Sequence, residues 1–242
     1  MRKLVNQLSL FFIMLGLSMT THAQRADLVT EQILVDHFNH KLSPQIRLFN
    51  GPSYLGYGGK LLSSPYFSKE IKFDEGDVVY DGYLFKKVPL MYDLVKQKLI
   101  SLAADSVSEF TFINDRVSYF KLLDRQFINL PRKDNKGTVS NTGFFEQAYN
   151  GKIKVLIKHD KQVKDIVDTY GARKDFPLKS EYFVLLANDD LIKINSEKSF
   201  INLFPSLKNE MKIYIKKNQL KFKKNPVETL VELGKFYDRS SN

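Results

Sequence analysis

Two dipeptides constrain this chain more than any other feature. Asp81-Gly82 separates Val78-Val79-Tyr80 from Tyr83-Leu84-Phe85, and Asn150-Gly151 separates residues 144–149 from 152–158. Such pairs accept positive φ at both central positions, the twist that a two-residue hairpin needs. With apolar residues alternating on either side, they commit the middle of the chain to antiparallel sheet. Val88, Leu90, Tyr92 and Leu94 alternate along the strand after the first turn, where Pro89 calls for an edge or a bulge. Residues 98–102 follow. Residues 107–113 and 117–123 read as two strands joined at Asn114-Asp115, and the polar stretch 132–142 as a loop. Ile153, Val155 and Ile157 are expected on a dry face, with Lys152, Lys154 and Lys158 on a wet one. Residues 182–186 and 191–194 form one more hairpin around Asn188-Asp189-Asp190.

Helical spacing marks both ends. Ile33, Leu34, His37 and Phe38 share one face of a short helix over 30–42. Residues 45–77 are irregular, with breakers at Gly51-Pro52, Gly58-Gly59 and Ser64-Pro65 and tyrosines between them. Near the end, Ser196 can cap a short helix that Pro205 breaks. Leu207, Met211, Tyr214 and Ile215 stripe a second helix over 206–218, and Asn225-Pro226-Val227-Glu228 starts a third. The expected fold is α+β, a curved antiparallel meander with a short N-terminal helix and C-terminal helices. It is expected to form a single domain over 24–242: helix and Tyr/Gly-rich loops to 76, hairpins over 77–195, and a basic helical end over 196–242.

Residues 1–23 point to a compartment. Arg2 and Lys3 precede an apolar stretch over 8–17, and Thr21-His22-Ala23 stands before Gln24, the pattern of a secretory signal peptide. The stretch is far short of the ~20 residues a spanning helix requires. Export to the periplasm, to the periphery of the outer membrane or out of the cell is the expectation. The chain has no cysteine, which excludes disulfides, thiol catalysis and thiolate metal sites. Its fold must rely on its core, for which 19 Phe and 12 Tyr are ample. The formal charge of +10 becomes +8 without Arg2 and Lys3, and favours anionic surfaces.

No residue pattern carries a catalytic signature. His37 and His40 lie at helical i, i+3 spacing beside Asp36 without a third ligand at a recognisable spacing, so no metal site is assigned. His159 is expected at the surface among lysines. The loop from Gly51 to Lys60 lacks the strand, the GK[ST] ending and the helix start of a phosphate loop. Tyr54 and Tyr57 within it are candidates for stacking on a ligand, against the simpler role of pinning the loop. The acidic runs Asp74-Glu75-Gly76-Asp77 and Asp189-Asp190 fall where turns are expected. Residues 206–224 carry the sharpest signal, with seven lysines and one acid, Glu210. Lys208, Lys212 and Lys216 share a helix face, and Lys217 and Lys221 carry the charge onward, so these five are candidate contacts for an anionic partner. Lysine without interleaved arginine argues against nucleic-acid readout.

Asn50-Gly51-Pro52-Ser53-Tyr54 with Tyr57, the stretch from Val88 to Val95, Tyr149-Asn150-Gly151-Lys152 and the ending from Ile215 to Lys224 resemble a group of uncharacterised exported proteins of Bacteroidetes-type bacteria. The resemblance implies a Gram-negative envelope setting and carries no catalytic residue or cofactor. The functional expectation is a non-catalytic envelope protein that binds a protein partner or an anionic lipid or lipopolysaccharide surface. A carrier of an apolar or amphipathic ligand is the second expectation, and a glycan or peptide hydrolase the third.

Overall fold

A computed structural model describes residues 48–49, 51–133, 139–169 and 171–241, with the side chains of 131–133 and 139–142 excepted. The expected signal peptide, the helix over 30–42, and His37 and His40 lie outside the described residues. The chain divides into two units after Asn50, and the second, from Gly51, holds every element below. Its strands are β1 (Lys60–Leu61), β2 (Asp74–Tyr80), β3 (Tyr83–Asp93), β4 (Lys98–Leu102), β5 (Glu109–Thr111), β6 (Val117–Leu122), β7 (Arg125–Lys133), β8 (Val139–Asn150), β9 (Lys154–Lys161), β10 (Lys164–Asp168), β11 (Gly171–Asp175), β12 (Leu178–Leu185) and β13 (Leu191–Ile194). The helices α1 (Glu197–Ile201), α2 (Lys208–Lys217) and α3 (Pro226–Ser240) end the chain. The architecture is the expected α+β arrangement.

Ten strands form one antiparallel sheet in the order β13-β12-β9-β8-β7-β6-β2-β3-β4-β5, and β1, β11 and β10 form a small second sheet. Asp81 and Gly82 both take positive φ, 50° and 80°, and Tyr80 faces Tyr83 as a two-residue turn requires. Pro89 lies in an interior strand, not at an edge, close to the β2 bulge between Gly76 and Val78. The run from Asp74 to Asp77, expected as a turn, is the bulged start of β2. Residues 107–113 and 117–123 do not pair with each other. β5 is the edge beyond β4, and the chain returns through a 3-10 turn at Asn114–Arg116 to place β6 on the far side of β2.

Within the polar stretch expected as a loop, residues 132–133 and 139–142 belong to strands, because β7 and β8 extend to pair Lys133 with Val139. The turn between β6 and β7 is Leu123-Asp124, at φ 50° and 58°, a hairpin without glycine. Asn150-Gly151 is a turn in a different register. Asn150 pairs with Lys154, so Gly151, Lys152 and Ile153 form the connection. A Cβ on Gly151 would lie 1.8 Å from Asp238 Oδ2, so glycine serves a close approach of α3 here. Asp238 in turn accepts hydrogen bonds from the Tyr149 hydroxyl at 2.8 Å and the Lys152 N–H at 3.0 Å. The slip sends Ile153 into the helical core. β9 is dry on both faces, with Val155, Leu156 and Ile157 almost fully buried, where one wet face was expected.

The apolar side chains cluster in several places among the described residues, one of them around Tyr54, Tyr66, Met91 and Ile100. Phe120 and Phe127 stack with ring centroids 4.6 Å apart, and Tyr92 and Phe144 pack edge-on against them. Another cluster joins Val155, Val184 and Ile194 of the sheet to Phe200, Met211, Leu230 and Leu233 of the helices. Ser196 caps α1 by accepting from the Ser199 N–H, and Ser199 completes the box. Asn225 starts α3 differently from the expected cap, its amide donating to the Glu228 carboxylate at 2.9 Å. Truncating Phe127 to alanine empties the middle of the ring cluster. Urea denaturation should show a loss of about 3–5 kcal/mol, whereas Leu84→Ala, at an exposed position, should stay within about 0.5 kcal/mol of wild type.

Candidate functional site

The tyrosine loop is held by a buried carboxylate. Asp93, at the end of β3, is 0% exposed. It accepts from the Tyr54 hydroxyl at 2.7 Å, the Tyr57 hydroxyl at 2.9 Å, and the backbone N–H groups of Val95 and Lys96 at 2.8 and 2.9 Å. The Tyr54 and Tyr66 hydroxyls lie 3.2 Å apart, and the Lys96 ammonium lies 4.7 and 4.8 Å from the Tyr54 and Tyr57 ring centres. Burial pushes both the Tyr54 and Tyr57 hydroxyls well above their ordinary value, helped next by the Tyr66 contact and then Asp93 at Tyr54, and by the Asp93 charge at Tyr57. Tyr54 is buried, and the Tyr57 ring packs edge-on against Phe176 and Tyr66. Both rings are engaged with protein partners, and the arrangement is that of a pinned loop.

A polar row that the sequence concealed crosses four strands. Arg125 on β7 donates to Glu146 Oε1 on β8 at 2.9 Å. Glu146 Oε2 lies 2.7 Å from His159 Nε2 on β9, and His159 Nδ1 lies 2.9 Å from Ser180 Oγ on β12. The register sets this row. Ser180 stands directly opposite His159, and Glu146 stands opposite Ile157, one diagonal step away. Glu146 is 5% exposed and His159 12%, so His159 is not the surface residue expected. Its ring packs 5.4 Å from Phe67. With Glu146 ionised and His159 neutral, Nε2 is the donor to the carboxylate and Nδ1 accepts the Ser180 proton. Hydroxyl, base and orienting acid thus stand in the order that nucleophile activation uses. The signal was absent from the sequence because the three residues meet only through long-range strand pairing.

On the opposite face of β9, Lys158 donates to Gln97 Oε1 at 2.7 Å, an oxygen shared with the Tyr92 hydroxyl at 2.8 Å. Burial pushes the Lys158 ammonium down to about 8. Gln97 lines a cleft with Lys96, Lys98, Asn114 and Gly143. A second cleft gathers Asp74, Glu75, Asp77 and Asp124 with Lys87 and Lys121. Among the described residues, no group of three or more His, Asp or Glu side chains is placed to hold a metal ion.

The lysine-rich end is an outer face. Lys208, Lys212, Lys216 and Lys217 on α2, and Lys221, Lys223 and Lys224 beyond it, are all exposed. None has a carboxylate within 4.0 Å among the described residues, whereas Lys72, Lys121, Lys179, Lys193 and Lys235 each do. The helix beneath is firmly seated. Met211 is 0% exposed, Tyr214 donates to Glu232 of α3 at 3.0 Å, and the Phe222 N–H donates to Glu197 of α1 at 2.6 Å. Gln219, at φ 52°, ends α2 in a Schellman turn, with the Leu220 N–H on the Ile215 carbonyl at 3.1 Å. The structure therefore brings Tyr54 and Tyr57 together at Asp93 and gathers the five candidate lysines on α2 and the turn after it. Among the described residues no helix is long and apolar enough to cross a membrane. No protein-family model matches the chain, and no curated protein or solved structure does.

Lys158 gives a pH signature. Between pH 8 and 10.5 the unfolded chain keeps a proton that the folded lysine has released, so this group adds stability as pH rises through that window. The stability of wild type relative to Lys158→Met, from urea melts, should rise from pH 8 to 10.5 and be flat below pH 7. Buried tyrosines act in the opposite sense above pH 10, where the unfolded hydroxyls ionise first, and they cancel in the comparison.

Proposed function

We propose that this is a non-catalytic protein of the cell envelope that binds an anionic partner through the lysine face of α2 and the turn that follows. The observation that carries the reading is that the seven lysines of 206–224 are exposed and have no acid partner among the described residues, on a helix whose other side is fixed in the core and on the turn after it. Like charges at i, i+4 repel by about 0.2–0.5 kcal/mol a pair. The helix dipole offsets this for Lys216 and Lys217 near the C-terminus and opposes Lys208 in the first turn. The uncompensated charge has no role in holding the fold, which is what a contact surface requires. Of the other surfaces considered, Tyr54 and Tyr57 have their rings engaged internally, and the Phe residues a carrier would use as lining pack against one another. The envelope setting rests on residues 1–23.

Charge reversal tests this. Lys212→Glu, Lys216→Glu and Lys217→Glu together should sharply lower the salt needed to elute the protein from heparin, with its melting temperature nearly unchanged. The same charge change at Lys121, Lys179 and Lys193 should do less. Equal losses from the two sets would reduce the effect to net charge and remove the reading.

The hydrolase reading is supported by one observation, the Ser180–His159–Glu146 row, on residues other than those the sequence singled out. It requires Ser180 to react as a nucleophile. A fluorophosphonate should then add to Ser180, with the adduct lost in His159→Gln. An unmodified intact mass after prolonged exposure would dismiss it.

A further inference from the structure

We infer that the lysine face of α2 is built for an anionic lipid surface, with Ile213 as the side chain that enters it. This rests on the lysine-face reading above and names its partner. Ile213 is 67% exposed, on a helix whose apolar side is already buried. It follows Met211, which is 0% exposed, by two residues, or about 200° around the helix. Ile213 therefore points away from the core. Lys216 and Lys217, three and four positions on, flank it on the same surface, and Lys212 adjoins it.

Ile213 stands at the crest of the helix with Lys216 and Lys217 on its C-terminal side and Asn209 and Glu210 on its N-terminal side, an apolar side chain beside a cationic face as on an interfacial helix. The aliphatic group enters the acyl boundary while flexible lysine stems keep their ammonium groups at headgroup level. Lysine suits this better than arginine. Its compact charge needs no fixed geometry and tolerates phosphates that move laterally, whereas arginine's planar fork suits a fixed carboxylate or phosphate. A polysaccharide phosphate would satisfy the charge but would offer Ile213 no apolar depth. Because α2 is fixed by Met211, Tyr214 and Phe222, the face is presented without a folding step.

The test uses the chain's lack of tryptophan. In Ile213→Trp the new indole is the sole tryptophan and reports its own surroundings. Its emission should shift to the blue with vesicles of 30% phosphatidylglycerol in phosphatidylcholine, and stay unchanged with phosphatidylcholine alone. Ile213→Ser should weaken sedimentation with the anionic vesicles about tenfold and leave elution from heparin unaltered. Retention on heparin without vesicle binding, or equal vesicle binding by Ile213→Ser and wild type, overturns the lipid assignment and leaves the charge reading standing. Failure to bind either heparin or vesicles overturns both.

Discussion

A carboxylate removed from water is costly unless donors replace its hydration, and the arrangement around Asp93 follows from that requirement. Two backbone N–H groups come from its own turn, at Val95 and Lys96, and two hydroxyls come from a loop about forty residues earlier. Satisfying the charge thus fixes where 51–67 lies. Tyr66 pairs with Asp93 as an isolated bridge, the Phe67 N–H bonds the Tyr92 carbonyl, and the Leu94 N–H bonds the Pro65 carbonyl. The same turn reaches β9, where the Lys161 N–H donates to the Leu94 carbonyl at 3.2 Å and Gln97 donates to the His159 carbonyl at 3.0 Å. β3 and β9 are five places apart in the sheet, about 24 Å if it were flat. Their ends are nevertheless hydrogen-bonded. Loop, turn and both strand ends depend on one buried anion.

The position of Phe67 illustrates this dependence. Its ring touches Phe127 at 5.0 Å and His159 at 5.4 Å, so it covers the boundary between the aromatic cluster and the polar row. Glu146 stands opposite Phe127 on the neighbouring strand, and the row begins where the rings end. A buried acid can stay there because Arg125 and His159 each take one of its oxygens. The row is sufficient as a structural device. Whether Ser180 also reacts depends on its access to a substrate carbonyl, which its place within β12 opposite His159 does nothing to provide.

The fold was legible wherever the signal was local. Asp81-Gly82 has its turn where the two residues place it, because its twist needs no help from the rest of the chain. Asn150-Gly151 marks the right place in a different register, because Asp238, nearly ninety residues on, takes the space beside Gly151 and the Lys152 N–H. Leu123-Asp124 was not readable as a turn, since leucine at positive φ is held by the pairing on either side and not by its own preference. The placement of β6 beside β2 is a long-range choice that alternation does not encode. The same limit hid the polar row. Ser180, His159 and Glu146 are ordinary residues of three strands until pairing aligns them. The lysine face was visible early because helical periodicity is local, and seating α2 required only Met211, Tyr214 and Ile215 on the opposite side.

Ile213 lies outside the apolar stripe of Leu207, Met211, Tyr214 and Ile215, about 200° around the helix from Met211, and the structure leaves it 67% exposed. That separation changes what the lysines mean. A lysine face alone is a common way to keep a helix soluble, and nothing about it selects a partner. An exposed isoleucine at its crest works against solubility, so its placement and the charge around it are best explained together. A surface that is at once cationic and locally apolar is poorly matched to water and well matched to a headgroup layer over acyl chains. The rigid seating of α2 adds the last element. A helix that must fold on contact spends part of its binding energy on ordering, while one already packed against α3 does not. The internal hydrogen bonds and rings that fix α2 therefore strengthen any contact its outer face makes, although they never touch the partner.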